Sequence, residues 1–418
     1  MIYDLAVVGG GPAGMIAAGR AGERGARVIL LEKNDSLGIK LLLSGGGRCN
    51  FTNLGADDKA AMAVYGANHK FLFSAFHGFG VKSVLSFFSD LGVSAEAEEK
   101  GRVFPKSGRA EDIRRALLRY LEKNKVEIRY GAVASGLVAR DNAMRAVRLR
   151  GGGEILSKNF LIATGGRSYP TTGSEGDAYG WLASLGHTVI PPRPALTPVV
   201  VREKIVKKLE GLSLKDAGLK VLAGKKTVAR CRGDMVFTSD GLSGPAVIDL
   251  SGRIGSLLSA GAIKLEIDFF PDIKGDDLDK KLRQDFHESH NKQLKNYLVR
   301  LTSPRLAPVL LELSGLNGTR AISEIRKEER VRLAGYLKRF TLEVKGLKGF
   351  DRAMITAGGV ATCEVDPKTM RSRLYPNLFF AGEALDLDGP SGGYNLQICW
   401  STGFTAGDSV PPPEAIGL

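Results

Sequence analysis

Apolar positions near the start of the chain form two near-continuous runs separated by a helically spaced stretch, which predicts a strand, a helix and a second strand. Residues 3–8 (Tyr-Asp-Leu-Ala-Val-Val) are mostly apolar on both faces, as a strand covered on two sides requires. Residues 9–14 form a turn, and 15–23 begin a helix with Ala17, Ala18 and Ala21 toward the sheet. Residues 27–31 give the second strand, ending at Glu32, so the start is a βαβ unit. Helical patterns follow at 68–76, 80–91 and 109–124. Strand patterns occupy 126–130, 132–139, 144–150, 154–157 and 159–164, with Gly151-Gly152-Gly153 as a hairpin turn.

Pro191-Pro192-Arg193-Pro194 breaks any helix or central strand and marks a domain boundary. Short β-like runs fill 195–270, helices are predicted at 276–298 and 321–339, and a Gly-rich segment at 345–349 closes the region. Buried-strand patterns return at 355–360 and 378–381, and a last apolar helix begins near Tyr394. The expected fold is therefore α/β: a doubly wound dinucleotide-binding domain from 1–190 and 346–418, holding a β-rich, barrel-like insert at 191–275 and a small helical subdomain at 276–345.

Composition adds two constraints. With 418 residues, 43% hydrophobic and 25% charged, the chain matches a soluble protein of two or three domains. The first residues are not read as a signal peptide, and no apolar run approaches the ~20 residues of a bilayer span, so a cytoplasmic location without a membrane is expected. Cys49, Cys231, Cys363 and Cys399 lie far apart, and the histidines lack ligand spacing, which argues against a metal site or a disulfide framework. The net charge is +14, and residues 191–345 hold 29 Lys and Arg against 19 Asp and Glu, most of that excess. Such a concentration favours a polyanionic partner over a small neutral one.

Gly9, Gly11 and Gly14 place a Gly-x-Gly-x-x-Gly turn, with Pro12 and Ala13 inside it, between a strand and a helix. The glycines permit the tight turn, the approach of backbone to a pyrophosphate and close helix packing. Glu32 ends the second strand, where a carboxylate takes ribose hydroxyls and repels a 2′-phosphate. Two distant elements select FAD over NAD: Ala163-Thr164-Gly165-Gly166 at a strand end, and Gly382-Glu383 with Asp386, followed by Gly393-Tyr394-Asn395-Leu396 opening the last helix. That helix start is expected to face the flavin edge where negative charge develops. Lys33 and Val133 complete the expected cofactor contacts. No second Gly-x-Gly-x-x-Gly is present, so NAD(P)H is expected only as a transient electron donor.

The segment 44–53, Ser-Gly-Gly-Gly-Arg-Cys-Asn-Phe-Thr-Asn, brings Ser44, Gly45, Gly46, Arg48 and Cys49 toward the reactive end of the cofactor. With Lys40, Gly101-Arg-Val-Phe-Pro105, Ala163–Pro170, Gly173–Asp177, Leu185-Gly-His187, Phe237–Pro245 and Gly358-Gly-Val360, it resembles the BaiN/RdsA flavoprotein family over nearly the whole chain. The resemblance implies FAD and reduction of an activated C=C bond, either in 3-oxo bile acids or in uridine of 23S ribosomal RNA. Many members carry His after Phe-Thr in the segment before Ser-Gly-Pro; Ser239 stands there in this chain, so that histidine has no counterpart.

Such a reduction needs a hydride on the β carbon and a proton on the α carbon. Cys49 is the expected proton donor, while Lys40 and Arg48 would stabilise negative charge on the flavin or the substrate oxygen. The basic insert favours 23S rRNA as the partner. A small hydrophobic enone and an RNA-binding, redox-sensing flavoprotein without turnover are the alternatives.

Overall fold

The computed structural model describes residues 2–59, 62–258 and 260–412. The chain divides into two compact units, Met1–Pro194 with Ala353–Leu418, and Ala195–Arg352.

The first unit opens with strand β1 (Tyr3–Val8), helix α1 (Pro12–Glu23) and strand β2 (Val28–Leu31). Helix α2 (Ile39–Leu43) leads to β3 (Thr52–Asn53), then α3 (Leu72–Gly78) and α4 (Val81–Asp90). A small antiparallel sheet of β3, β4 (Ala95–Ala97) and β5 (Arg102–Pro105) precedes α5 (Ala110–Lys123) and β6 (Glu127–Arg129). Strands β7 (Ala134–Arg140), β8 (Ala143–Leu149) and β9 (Glu154–Ile162) follow, then α6 (Asp177–Ser184) and β10 (Val189–Ala195).

β9 is one strand where the pattern suggested two. Its polar residues are used inside the sheet: Ser157 Oγ donates to Tyr3 O at 3.1 Å, and Asn159 Nδ2 to Asp4 O at 3.0 Å. The strand therefore runs antiparallel to β8 over its first residues and parallel to β1 over the rest, without a break. The proline segment is likewise a strand, β10. It pairs within a two-stranded sheet, where missing N–H groups can face away from the partner.

In the second unit, β11 (Val199–Val201), β12 (Ser213–Ala223), β13 (Lys226–Thr238), β14 (Gly241–Ser243), β15 (Ile263–Asp268) and β16 (Phe340–Leu347) close into a barrel in the order β11-β14-β13-β12-β15-β16. Strands β12 and β13 are longer than the short runs expected. Helix α7 (Pro245–Leu258) interrupts them, burying Val247, Ser251 and Ile254 at helical spacing. Helices α8 (Gly275–Glu288), α9 (Leu294–Leu301), α10 (Leu306–Ser314) and α11 (Lys327–Lys338) share the barrel's hydrophobic core. The expected helix over 276–298 is thus two helices. α10 was not anticipated; its Pro308 lies in the first turn, where no N–H is needed.

The chain then returns to the first unit as β17 (Ile355–Val360), which pairs with β10, and β18 (Leu378–Phe380), ending in α12 (Tyr394–Asp408). The main sheet has seven strands, ordered β6-β2-β1-β9-β8-β7, with β18 also paired to β9. β1, β2, β6, β9 and β18 pair in parallel, the doubly wound arrangement expected.

One buried knot pins the return. His187 Nδ1 lies 3.0 Å from Glu364 Oε2, and Nε2 lies 3.1 Å from Ser372 Oγ. Ser372 Oγ already accepts the N–H groups of Leu374 and Tyr375, each at 3.0 Å, so the hydroxyl must donate to Nε2. A proton on Nε2 would bring a third donor to an oxygen with two lone pairs. Burial, against the opposing pull of Glu364, holds the imidazole pKa below its usual value. The stability this confers is complete above the ordinary histidine pKa of about 6.5 and is lost as pH falls below it. His187→Asn is expected to cost about 1–3 kcal/mol at pH 7.5 and to flatten the fall in melting temperature on acidification, measured by thermal denaturation across pH.

Candidate functional site

At the carboxyl ends of β1 and β9 an open cleft of roughly 890 Å³ runs along the first turn of α1. Two glycines make it possible. Gly9 has φ +107°, and a Cβ there would lie 2.4 Å from Ala163 O. A Cβ on Gly14 would lie 1.9 Å from Gly9 O, so α1 packs on the turn only without a side chain at that position. Gly11 has open space where its Cβ would be, and Pro12 begins the helix. The cleft is lined by Gly9, Gly11, Pro12, Ala13, Glu32, Lys33, Lys40, Ala163, Thr164, Gly165 and Glu383, all expected from the sequence.

Glu32 is buried. Its Oε2 accepts Gly10 N at 2.8 Å, and its Oε1 accepts the backbone and side-chain amides of Asn34 at 2.9 and 2.8 Å. A carboxylate has about four acceptor positions, so one remains for a hydroxyl in the cleft. Lys33 is occupied differently: Nζ sits 2.7 Å from both Glu175 and Asp177, which neutralise it. Lys40 Nζ donates to Ser168 Oγ and Glu383 Oε2, both at 2.6 Å. Glu383 Oε1 in turn accepts Ser168 Oγ and Thr356 N, each at 2.7 Å. Ser168 and Thr356 were not singled out in the sequence; polar residues flanking a Gly-Gly turn and a Gly-Gly strand give no separate signal. Thr164 Oγ1 is buried without a partner among the described residues. Val133 is not in the lining, though Ala132 and Ala134 are, and its N–H is held by Gly131 O.

The glycine segment divides in two. Gly45, Gly46 and Gly47 have φ of 57°, 67° and 88°, an exposed left-handed turn that side chains would strain. Ser44 Oγ caps Leu41 O at 2.6 Å. Arg48 turns outward, pairs with Glu98 and lies 4.1 Å over the Phe104 ring, so it does not reach the cleft. From Cys49 onward the segment is buried and grips the start of α12. Asn53 Nδ2 donates to Gly392 O at 3.0 Å, Thr52 Oγ1 bonds Gln397 Oε1, and Trp400 Nε1 donates to Phe51 O at 2.7 Å. A Cβ on Gly393 would strike Thr52 O at 2.2 Å.

This placement removes Cys49 as proton donor. Its side chain is 0% exposed and part of the hydrophobic core, with the thiol pKa pushed up to about 12 by burial. A thiol that no substrate can touch transfers no proton to one. Cys399 lines the cleft beside Ala381 and Glu383. Ser174 and Trp181 line it too, without a sequence signal.

Beyond Glu383 a rigid loop leads into α12. Gly382 takes φ +68° against Ala13. Asn68 Nδ2 holds both the carbonyl and the carboxylate of Asp386 at 2.9 Å. Asn395 staples the loop, accepting Gly389 N and donating to Gly389 O and Pro390 O. Tyr394 stacks edge-on with Tyr65, and Leu396 packs partly against the core. Between the two pins, Asp388 is pushed up to about 6 by burial and by the charges of Asp386 and Glu383, against the pull of Arg193. Asp386, Gly393, Tyr394, Asn395 and Leu396 lie outside the cleft lining and form its continuation along the chain.

A family model described as the HI0933-like protein Rossmann domain matches residues 3–409. The chain belongs to the HI0933-like family. It is 32% identical to the 3-dehydro-bile acid delta(4,6)-reductase of Clostridium scindens over 96% of this chain and 98% of that one. It is 30% identical to the ribosomal RNA dihydrouridine synthase of Escherichia coli, covering 98% of each. The fold is shared with the 3-ketosteroid-delta4-(5alpha)-dehydrogenase of Rhodococcus jostii at a TM-score of 0.54 and 16% identity, over 98% of this chain and 96% of that structure.

This HI0933-like protein is an FAD-dependent oxidoreductase acting on C=C bonds. The cleft fits the cofactor on its own terms: a glycine cradle without side chains, a carboxylate with one acceptor position left and an unpartnered threonine oxygen. Among the described residues no cluster of His, Cys, Asp and Glu could hold a metal, and no single helix is long and apolar enough to cross a membrane. Gly14→Ala is expected to abolish flavin retention, read as flavin absorbance per chain. Cys49→Ala is expected to keep FAD and to change turnover by less than about threefold, since it removes a buried packing group and no reacting one.

Proposed function

We propose that this protein reduces the 5,6 double bond of uridine in ribosomal RNA, using NAD(P)H as a transient electron donor. The observation that carries the reading is the state of the cations in unit Ala195–Arg352. Lys204, Lys207, Lys215, Lys225, Lys226 and Arg230 are exposed, and among the described residues none is held in an ion pair. Lys208, Lys220 and Arg232 in the same stretch are paired, with Glu312, Glu266, and Asp216 and Asp272. Arg330 and Lys338, farther along the same unit, are likewise tied to Asp279 and Asp268. Six unpaired cations on one unit suit the phosphates of a polyanion, which position a substrate without reading its sequence. The target base would leave its stack to reach the cofactor.

Bound FAD supplies the hydride. The chain's own residues hold the cofactor. Gly9, Gly11 and the first turn of α1 would take its phosphates, and Glu32 a ribose hydroxyl. The Lys40–Glu383–Ser168–Thr356 network fixes the far end of the cleft.

A small hydrophobic enone is the second reading, favoured by the identity to the bile-acid reductase over the full chain. Mass-spectrometric mapping of 23S rRNA separates the two. A strain lacking this protein is expected to lose one dihydrouridine that plasmid-borne protein restores; rRNA that keeps all its dihydrouridine sinks the RNA reading.

A further inference from the structure

A second open hollow lies on unit Met1–Pro194 with Ala353–Leu418, away from the glycine cradle. One wall is the outer face of α5, which buries Ile113, Ala116, Leu117 and Leu121 and so turns Arg115 and Arg119 to solvent. The other wall is built by residues 92–94 and 105–107, at the open end of the β4–β5 hairpin. This wall is held in shape by its own backbone: Lys106 N donates to Ser94 O, and Gly108 N to Pro105 O, both at 2.8 Å.

The charges facing the hollow are Lys106, Arg115 and Arg119 against the single carboxylate of Asp112. Asp112 is already compensated. It accepts from the Ser107 hydroxyl and from Arg109, which hold its pKa below the usual carboxylate range. Arg115 uses Nε on Glu111 and Arg119 uses one Nη on Leu91 O, so each guanidinium keeps donors to spare. Arg115 and Arg119 stand one helical turn apart, ~6 Å between Cβ atoms, so that each guanidinium can take its own phosphate. Ser94 and Ser107 add hydroxyls at the same rim. The lining contains no aromatic ring, and Val93 and Pro105 are its apolar side chains, so it offers nothing on which a base could stack. Such a hollow takes phosphates and ignores bases.

We propose that this hollow is a second docking site for the RNA sugar-phosphate backbone, carried by the cofactor-binding unit and separate from the basic stretch 204–232. The site rests on the RNA reading given above.

The test uses the FAD-loaded full chain and a structured fragment of 23S rRNA, with binding followed by fluorescence anisotropy between about 50 and 200 mM salt. Lys106→Ala, Arg115→Ala and Arg119→Ala combined are expected to weaken binding about tenfold or more at the low end, and to reduce the slope of log affinity against log salt by about 2 to 3. Flavin content and NAD(P)H-driven reduction of a small-molecule acceptor are expected to stay as in the wild type, because the three side chains are exposed and outside the cleft. Unchanged affinity and slope in the triple variant, with RNA still bound by the wild type, would overturn the site and leave the RNA reading standing. Wild-type chain that binds no RNA at low salt would remove both. Inorganic phosphate displacing the RNA at micromolar concentration would identify a small-anion site and also overturn the proposal.

Discussion

Everything in the cofactor-binding unit depends on how closely α12 lies on α1. A Cβ on Gly403 would sit 2.5 Å from Ala13 O, and one on Gly407 would sit 2.4 Å from Ala17 O. The two helices therefore meet backbone to backbone, with Ala13 and Ala17 of α1 buried at the contact. No longer side chain fits at either glycine without parting the helices. This single contact brings residues from near the two ends of the described chain together at the dinucleotide turn. It also sets Gly382 against Ala13, which places Glu383 in the cleft beside Lys40. An ion pair, Arg20 with Asp408 at 2.6 Å, closes the outer end of the same helix pair.

A second constraint follows from the first. Once α12 lies on α1, its amino end must be held where the loop 386–393 delivers it. That holding is done by Cys49–Asn53, through Asn53 on Gly392, Thr52 on Gln397 and Phe51 on Trp400. The most distinctive stretch of the sequence is thus half turn and half clamp. Its glycines give an exposed left-handed turn, and its last five residues, Cys49–Asn53, are buried. Cys49 belongs to the second half, with φ +60° and no exposure, which explains why a residue so suggestive in sequence is chemically idle in the fold.

The legible part of this chain was the part written in glycines and in continuous apolar runs. The βαβ start, the parallel sheet, the returning C-terminal segment and the hairpin at 151–153 all carry such local marks. What was missed carries its information in pairs of distant residues. Nothing near Ser157 or Asn159 announces that their side chains complete hydrogen bonds to β1, so the strand was split. Three prolines are compatible with β10 because its sheet has two strands, a fact of topology and not of sequence. The helix pattern over 276–298 did not mark the break at 289–293, where Gln293 instead bridges Ala321. At the site, Ser168 and Thr356 became visible only as partners of Glu383.

The distribution of ion pairs separates two tasks that net charge merges. Inside the cleft, Lys33 and Lys40 are matched by Glu175, Asp177 and Glu383, so the lysines there carry little net field toward a ligand. The phosphates of a dinucleotide are then left to the backbone amides at the start of α1, which need no mobile cation and do not compete for a polyanion. Cations outside any ion pair among the described residues lie elsewhere, such as Lys204, Lys207, Lys215, Lys225, Lys226 and Arg230, and Lys106 and Arg119 beside α5. A chain whose excess charge served only its cofactor would show the reverse arrangement, with free lysines in the cleft and paired ones outside. Because the excess lies at exposed surfaces, it is open to a large anionic partner met from outside the cleft, in line with the proposed RNA substrate.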